Sequence, residues 1–168
     1  MKKALAYILP TLLCFVLGGI AGVLQNDAIA HWYPYLNKSA LTPPNIAFPI
    51  AWGIIYLCMG ISAGLVLTSR AMARSRVMWI WFVQLALNFL WSVLFFFARN
   101  PLAGMIDIVA LDILVIYYMV HAYRVRRAAS WLFLPYLLWI LFATYLNGYI
   151  LLLSLIHISE PTRRSYIS

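Results

Sequence analysis

The sequence predicts an all-α integral membrane protein, a bundle of five transmembrane helices. Three observations predict it. First, 65% of the 168 residues are hydrophobic and only 10% are charged, whereas soluble domains are about 45–50% apolar and about 25% charged. A chain this short cannot hide so much apolar surface in one water-soluble core. Second, five apolar runs each reach the roughly 20 residues that cross a bilayer as a helix. Third, the basic residues sit in short clusters between those runs, as loop anchors beside a bilayer do. Lipid requires every backbone group to be paired internally, and the period-2 alternation of a membrane barrel is absent, so the spans are helices.

The runs define one membrane domain over residues 1–153. The first, Leu5–Leu24, closes at Asn26-Asp27. Lys2, Lys3, this apolar core and Ala28-Ile29-Ala30 imitate a cleavable signal peptide, but the run is too long for a usual signal core and reads as a span. Residues Asp27–Pro49 form a loop, long enough to favour a function over a simple connection. Its His31, Trp32, Tyr33, Pro34 and Tyr35 fit either an interfacial aromatic belt or a lid over a pocket. Ile50–Leu67 and Val77–Phe97 follow, with Arg70, Arg74 and Arg76 between them. Arg99-Asn100-Pro101 makes a tight turn into Leu102–Tyr123, and Arg124, Arg126 and Arg127 separate that run from Trp131–Leu153. Such short links impose antiparallel neighbours. Pro10 and Pro135 lie inside apolar runs as expected kinks. Residues 154–168 read as a disordered or non-native polar tail.

Charge sets the expected orientation. Lys2, Lys3, Arg70, Arg74, Arg76, Arg124, Arg126 and Arg127 share one side of a five-span chain. The positive-inside rule places that side, with the N-terminus, in the cytoplasm, and the membrane reads as a bacterial plasma membrane. The net charge of +8 is thereby assigned to loop anchors, and nucleic-acid binding is set aside. Cys14 and Cys58 both fall inside apolar runs and read as small buried hydrophobes. His31, His121 and His157 lack ligand spacing, so no metal site is expected. No nucleophile–base pair or phosphate loop stands out either.

A charge at mid-bilayer needs a reason, because it costs about 2.5–3.5 kcal/mol on insertion scales. Asp107 and Asp112 are five residues apart in the fourth run, about 140° apart on a helix, and so are no acid/base dyad. Helix–helix hydrogen bonding competes with a ligand or proton role for each. Trp81, Gln84, Asn88 and Trp91 recur on one helix face, either as interhelical glue or as the wall of a pocket for an amphipathic ligand. Trp52, Tyr56 and Gly60 share a face of the second run, and Trp139, Ala143 and Asn147 one of the fifth. Gly18-x-x-x-Gly22 and Gly60-x-x-x-Gly64 allow close helix approach.

Taken together, these residues resemble the tryptophan-rich sensory protein/translocator protein family, also known as peripheral-type benzodiazepine receptors. The likeness rests on Leu41-Thr42-Pro43-Pro44 with Phe48-Pro49 and Trp52, then Tyr56 and Met59-Gly60. It continues with Gln84 to Asn88, Trp91-Ser92, Phe95-Phe96, Ala98-Arg99 and Asp107, and ends with Pro135-Tyr136, Trp139 and Tyr145 to Tyr149. The resemblance implies a five-helix bundle whose pocket lies under the first loop. It implies porphyrins such as protoporphyrin IX and haem as ligands, with no obligatory cofactor, and sterols, isoquinoline carboxamides and benzodiazepines as further ligands. It implies a homodimer in the bilayer. Trp52 and Trp139 match two pocket tryptophans linked to ligand contact and to light-dependent porphyrin breakdown, and Asn88 matches a polar contact. Tyr33, Phe89, Ala143 and Leu146 match positions lining the same space, to which the aromatic faces above add Tyr56 and Trp91. Two features depart from the family pattern. Asn45-Ile46 replaces an aromatic after Pro43-Pro44, and no basic residue follows Leu146 and Tyr149 to complete a sterol motif. The leading expectation is a tetrapyrrole receptor or transporter. A light-dependent porphyrin-degrading enzyme and a purely structural membrane protein are the alternatives.

Overall fold

A computed structural model describes the backbone of residues 2 to 164 and the side chains of residues 3 to 153. It contains α1 (Lys2–His31), α2 (Ala47–Leu67), α3 (Arg74–Ser92), α4 (Pro101–Val125), α5 (Arg127–Trp131) and α6 (Leu134–Arg164). No strand occurs among the described residues. Five helical segments, α5 and α6 together forming the fifth, are long and apolar enough to cross a membrane, as the sequence predicts.

Most boundaries fall within about three residues of the expected ones, and the larger differences concern α1 and the fifth span. α1 continues through Asn26-Asp27 to His31. Asp27 does not end it, because its carboxylate pairs with Arg99 and with His31 one turn on, both outside the apolar stretch. The connecting loop is therefore residues 32–46, shorter than predicted. The fifth span is interrupted by a turn at Leu132-Phe133, after which Pro135 sits in the opening turn of α6, where its missing N–H leaves no gap. α6 also stays helical past Leu153 to Arg164, since extending an existing helix adds a bond per residue without a new nucleus. The remainder of the predicted tail, 165–168, lies outside the described residues.

Close approach of α1 and α2 organises the bundle. A Cβ on Gly60 would fall on Thr11, and one on Gly64 would fall on the Tyr7 ring. The core behind this seam contains Cys14, Met59, Trp81, Val115, Tyr118 and Tyr136, all fully buried. Buried hydrogen bonds tie it together. Trp81 Nε1 donates to the Met59 carbonyl (3.1 Å), and Ser62 Oγ bonds both the Ala129 carbonyl (2.6 Å) and Tyr118 Oη (2.8 Å).

α3 does not end as an α-helix. Residues Val93–Phe97 form a π-helical turn, closed by Ala98 N–H to Val93 O at 2.8 Å. The wider turn directs both Phe95 and Phe96 into a second apolar cluster with Trp91, Trp32 and Tyr33. Arg99 then adopts φ 51°, the left-handed region. Asn100 caps α4 by accepting from Ala103 N–H (3.0 Å), and Pro101 starts that helix.

Candidate functional site

At the loop end of the bundle, α1, α2, α3 and α6 enclose a cavity of about 280 Å³. α2 supplies Phe48, Trp52 and Tyr56. Trp52 and Tyr56 lie one helical turn apart and stack, with ring centroids 5.3 Å apart and planes at 28°. α6 supplies Trp139, whose ring meets Phe48 edge-on at 5.7 Å, and one turn further on Ala143, with Leu146 beyond. α3 supplies Trp91, stacked on Phe95 at 5.3 Å and 15°. Trp91 Nε1 is buried without a hydrogen-bond partner, although the cost of an unpaired buried donor is about 1–3 kcal/mol.

The loop closes this space. Tyr33 and Asn45 stand on the cavity wall. Tyr33 packs on Phe96 (5.7 Å) and Trp32 on Phe95 (5.7 Å). Ser39 Oγ bonds Tyr145 Oη at 3.0 Å, which pins the middle of the loop to α6. Thr42 Oγ1 donates to the Ser39 carbonyl (2.8 Å) and turns the chain toward Pro43-Pro44. Lys38 Nζ lies 4.6 Å above the Tyr33 ring, a cation at the loop. Burial pushes the Tyr33 phenol above its usual range, so it stays a neutral donor near neutral pH. Among the described residues no charged side chain lines the cavity itself; its polar groups are Gln25, Asn45, Ser92, Tyr33 and Tyr56 hydroxyls and the indoles.

Of the residues predicted for the site, Tyr33, Trp52, Tyr56, Trp91, Trp139, Ala143 and Leu146 surround this one space. Asn88 and Phe89 do not line it. Asn88 is buried beneath it beside the Tyr136 hydroxyl, and Phe89 is half-buried on another face of α3. The face Trp81-Gln84-Asn88-Trp91 is thus divided, because its first three members lie in the closed core and only Trp91 reaches the loop end. Asn147 also leaves the expected face. Eight residues rotate a helix by about 80° beyond two turns, whereas seven bring Leu146 back to within about 20° of Trp139. Asn147 turns to α4, where the amide orientation that satisfies both of its ends lets its nitrogen donate to the Pro101 carbonyl (3.1 Å) and its oxygen accept from Met105 N–H (2.9 Å). Asp112 accepts from Thr144 Oγ1 (2.8 Å), joining α4 to α6. Asp107 is buried and makes no side-chain hydrogen bond through Oδ2.

One wall escaped the sequence reading. Gly18, Ala21, Gly22, Gln25 and Ile29 of α1 complete the cavity. Gly18, Gly22, Gln25 and Ile29 follow at spacings of 4, 3 and 4, a helix face of small residues with one amide. That periodicity is the signal that marks the wall. Gly18 is small for a stated reason, since a Cβ there would strike the Tyr56 ring.

The chain matches the TspO/MBR family over residues 10–153. It belongs to that family. Among similar TspO/MBR-type proteins, the tryptophan-rich protein TspO of Archaeoglobus fulgidus is 43% identical over 152 residues, covering 90% of this chain and 97% of that protein. Protein CrtK of Rhodobacter capsulatus is 35% identical, covering 80% of this chain and 83% of its own. The human translocator protein is 31% identical, covering 82% and 81%. The chain is accordingly an integral membrane protein of a sensory and translocator family.

Proposed function

We propose that the chain is a membrane receptor or transporter for tetrapyrroles such as protoporphyrin IX and haem. One observation carries the reading: an aromatic cavity between four helices, walled by Trp52, Tyr56, Trp91 and Trp139, with no charge among the described residues of its lining. A flat apolar macrocycle gains stacking on such rings, and its acidic edge is left for the loop, where Lys38 stands. The cavity of about 280 Å³ lies just below the roughly 300–1,000 Å³ found for ligand sites. Entry of a tetrapyrrole therefore includes movement of loop 32–46, which is held by a few reversible contacts. The same walls suit isoquinoline carboxamides and benzodiazepines. With the basic loops in the cytoplasm of a bacterial plasma membrane, the cavity mouth faces outward.

Titration of the purified protein with protoporphyrin IX, followed by tryptophan quenching, tests the reading. Trp52→Phe combined with Trp139→Phe is expected to weaken binding about tenfold or more, since aromatic pairs contribute about 0.5–1.5 kcal/mol each beyond burial. Equal affinity in the folded double variant, after correction for the lost signal, rejects this site. The two indoles also favour light-dependent porphyrin breakdown as a second reading. Illumination of the complex separates the two, because a product yield independent of Trp52 and Trp139 removes the chemical role.

A further inference from the structure

A larger cavity, about 820 Å³, opens at the opposite end of the bundle. It is a groove between α1 and α3, lined by Leu5, Leu9, Leu13, Met78, Trp79 and Phe82 among others. α1 packs closely on α2 but only loosely on α3, which leaves the groove open to the bilayer. From Leu5 to Leu13 it runs about 12 Å, close to the depth of one leaflet's hydrocarbon. Trp79 is 70% exposed beside it.

The rim of the groove is basic. Arg74 lines it, and α1 and α3 run parallel, so Lys3 and Arg74 both begin helices at this face. Helix N-termini add positive character there. The Arg74 guanidinium donates to the Leu67 and Ser69 carbonyls, each at 3.4 Å, and forms no ion pair among the described residues. All four acidic residues of the chain lie elsewhere. Asp27 and Asp107 belong to the loop end, Asp112 to mid-span, and Glu160 to the C-terminal part of α6, which leads away from this face. An apolar slot one leaflet deep, ending at an unneutralised guanidinium, is complementary to one occupant. We propose that it binds an anionic phospholipid of the leaflet on the N-terminal side, with an acyl chain along Leu5–Leu13 and the phosphate at Arg74.

Native mass spectrometry of the full chain, released from micelles doped with phosphatidylglycerol or phosphatidylcholine, tests this. The wild type is expected to retain phosphatidylglycerol in preference. Arg74→Gln is expected to cut that preference about fivefold, the value of one cation near an anionic surface. Arg74→Lys is expected to keep it, and Ala6→Phe, which fills the groove, to lower retention of both lipids. A variant-free arm uses phosphatidylglycerol with a photoreactive acyl chain, whose label is expected on residues 5–13 and 74–82. Label spread evenly over all helices, an undiminished preference in Arg74→Gln, or crosslinks from Leu9→Cys to a second copy seated in the groove would each overturn the proposal.

Discussion

Tyr56 lies with one face on Trp52 and one edge against Gly18, where a Cβ would strike its ring. The ring that walls the cavity on one side is therefore positioned by a glycine on the neighbouring helix. Gly18→Ala is expected to push Tyr56 off this position, because overpacking of this kind costs about 1–3 kcal/mol. Protoporphyrin IX affinity should fall about fivefold or more. Gly19→Ala, with nothing within 4 Å of the added Cβ, should leave it unchanged. Titration of the two variants side by side checks the contrast, and equal effects would exclude positioning by Gly18.

The loop is pinned by the Ser39–Tyr145 hydrogen bond. Tyr145→Phe removes the partner of a buried serine, at a net cost of about 1 kcal/mol. The expected result is release of bound porphyrin about fivefold faster in a stopped-flow displacement, with the melting temperature little changed. An unaltered release rate would show that the loop does not gate the cavity.

Lys38 is a cation at the loop face of the cavity, above Tyr33. Lys38→Gln is expected to weaken protoporphyrin IX about threefold to fivefold, the range of a charge-assisted contact at a partly exposed site. Its dimethyl ester, which lacks the carboxylates, should bind both proteins alike. Parallel loss with acid and ester would indicate a structural effect instead.

Arg99 combines a left-handed backbone with an ion pair to Asp27. The conformation costs about 1–2 kcal/mol for a residue with a Cβ, while an exposed pair contributes about 0–1 kcal/mol. Arg99→Gly should therefore melt at or above the wild-type temperature, and Arg99→Ala, which keeps the strain and loses the pair, below it. Thermal unfolding in one detergent compares them. The reverse order would mean that the pair outweighs the backbone.

The spans were legible because a bilayer leaves so few alternatives: an apolar run of the right length has to be a helix. Trp52, Tyr56 and Trp139 were legible for a related reason, since side chains one turn apart share a face whatever the helix packs on. Asn88 was not. It obeys the same periodicity as Trp91, yet depth along α3 puts it in the closed core. Asn147 shows the limit of face-counting, because an 80° offset over eight residues sends it to α4 while Leu146 stays with Trp139.

The sequence by itself determined an all-helical membrane bundle, its antiparallel order and the aromatic faces of α2 and α6, since length, charge and period are local properties. Only the tertiary structure decided which faces meet. It set the α1 wall from Gly18 to Ile29 against Tyr56, placed the π-turned end of α3 beneath Tyr33, and left the groove at Arg74 uncovered. Those choices depend on how closely helices approach, and that is decided by pairs such as Gly60 with Thr11, far apart in the chain.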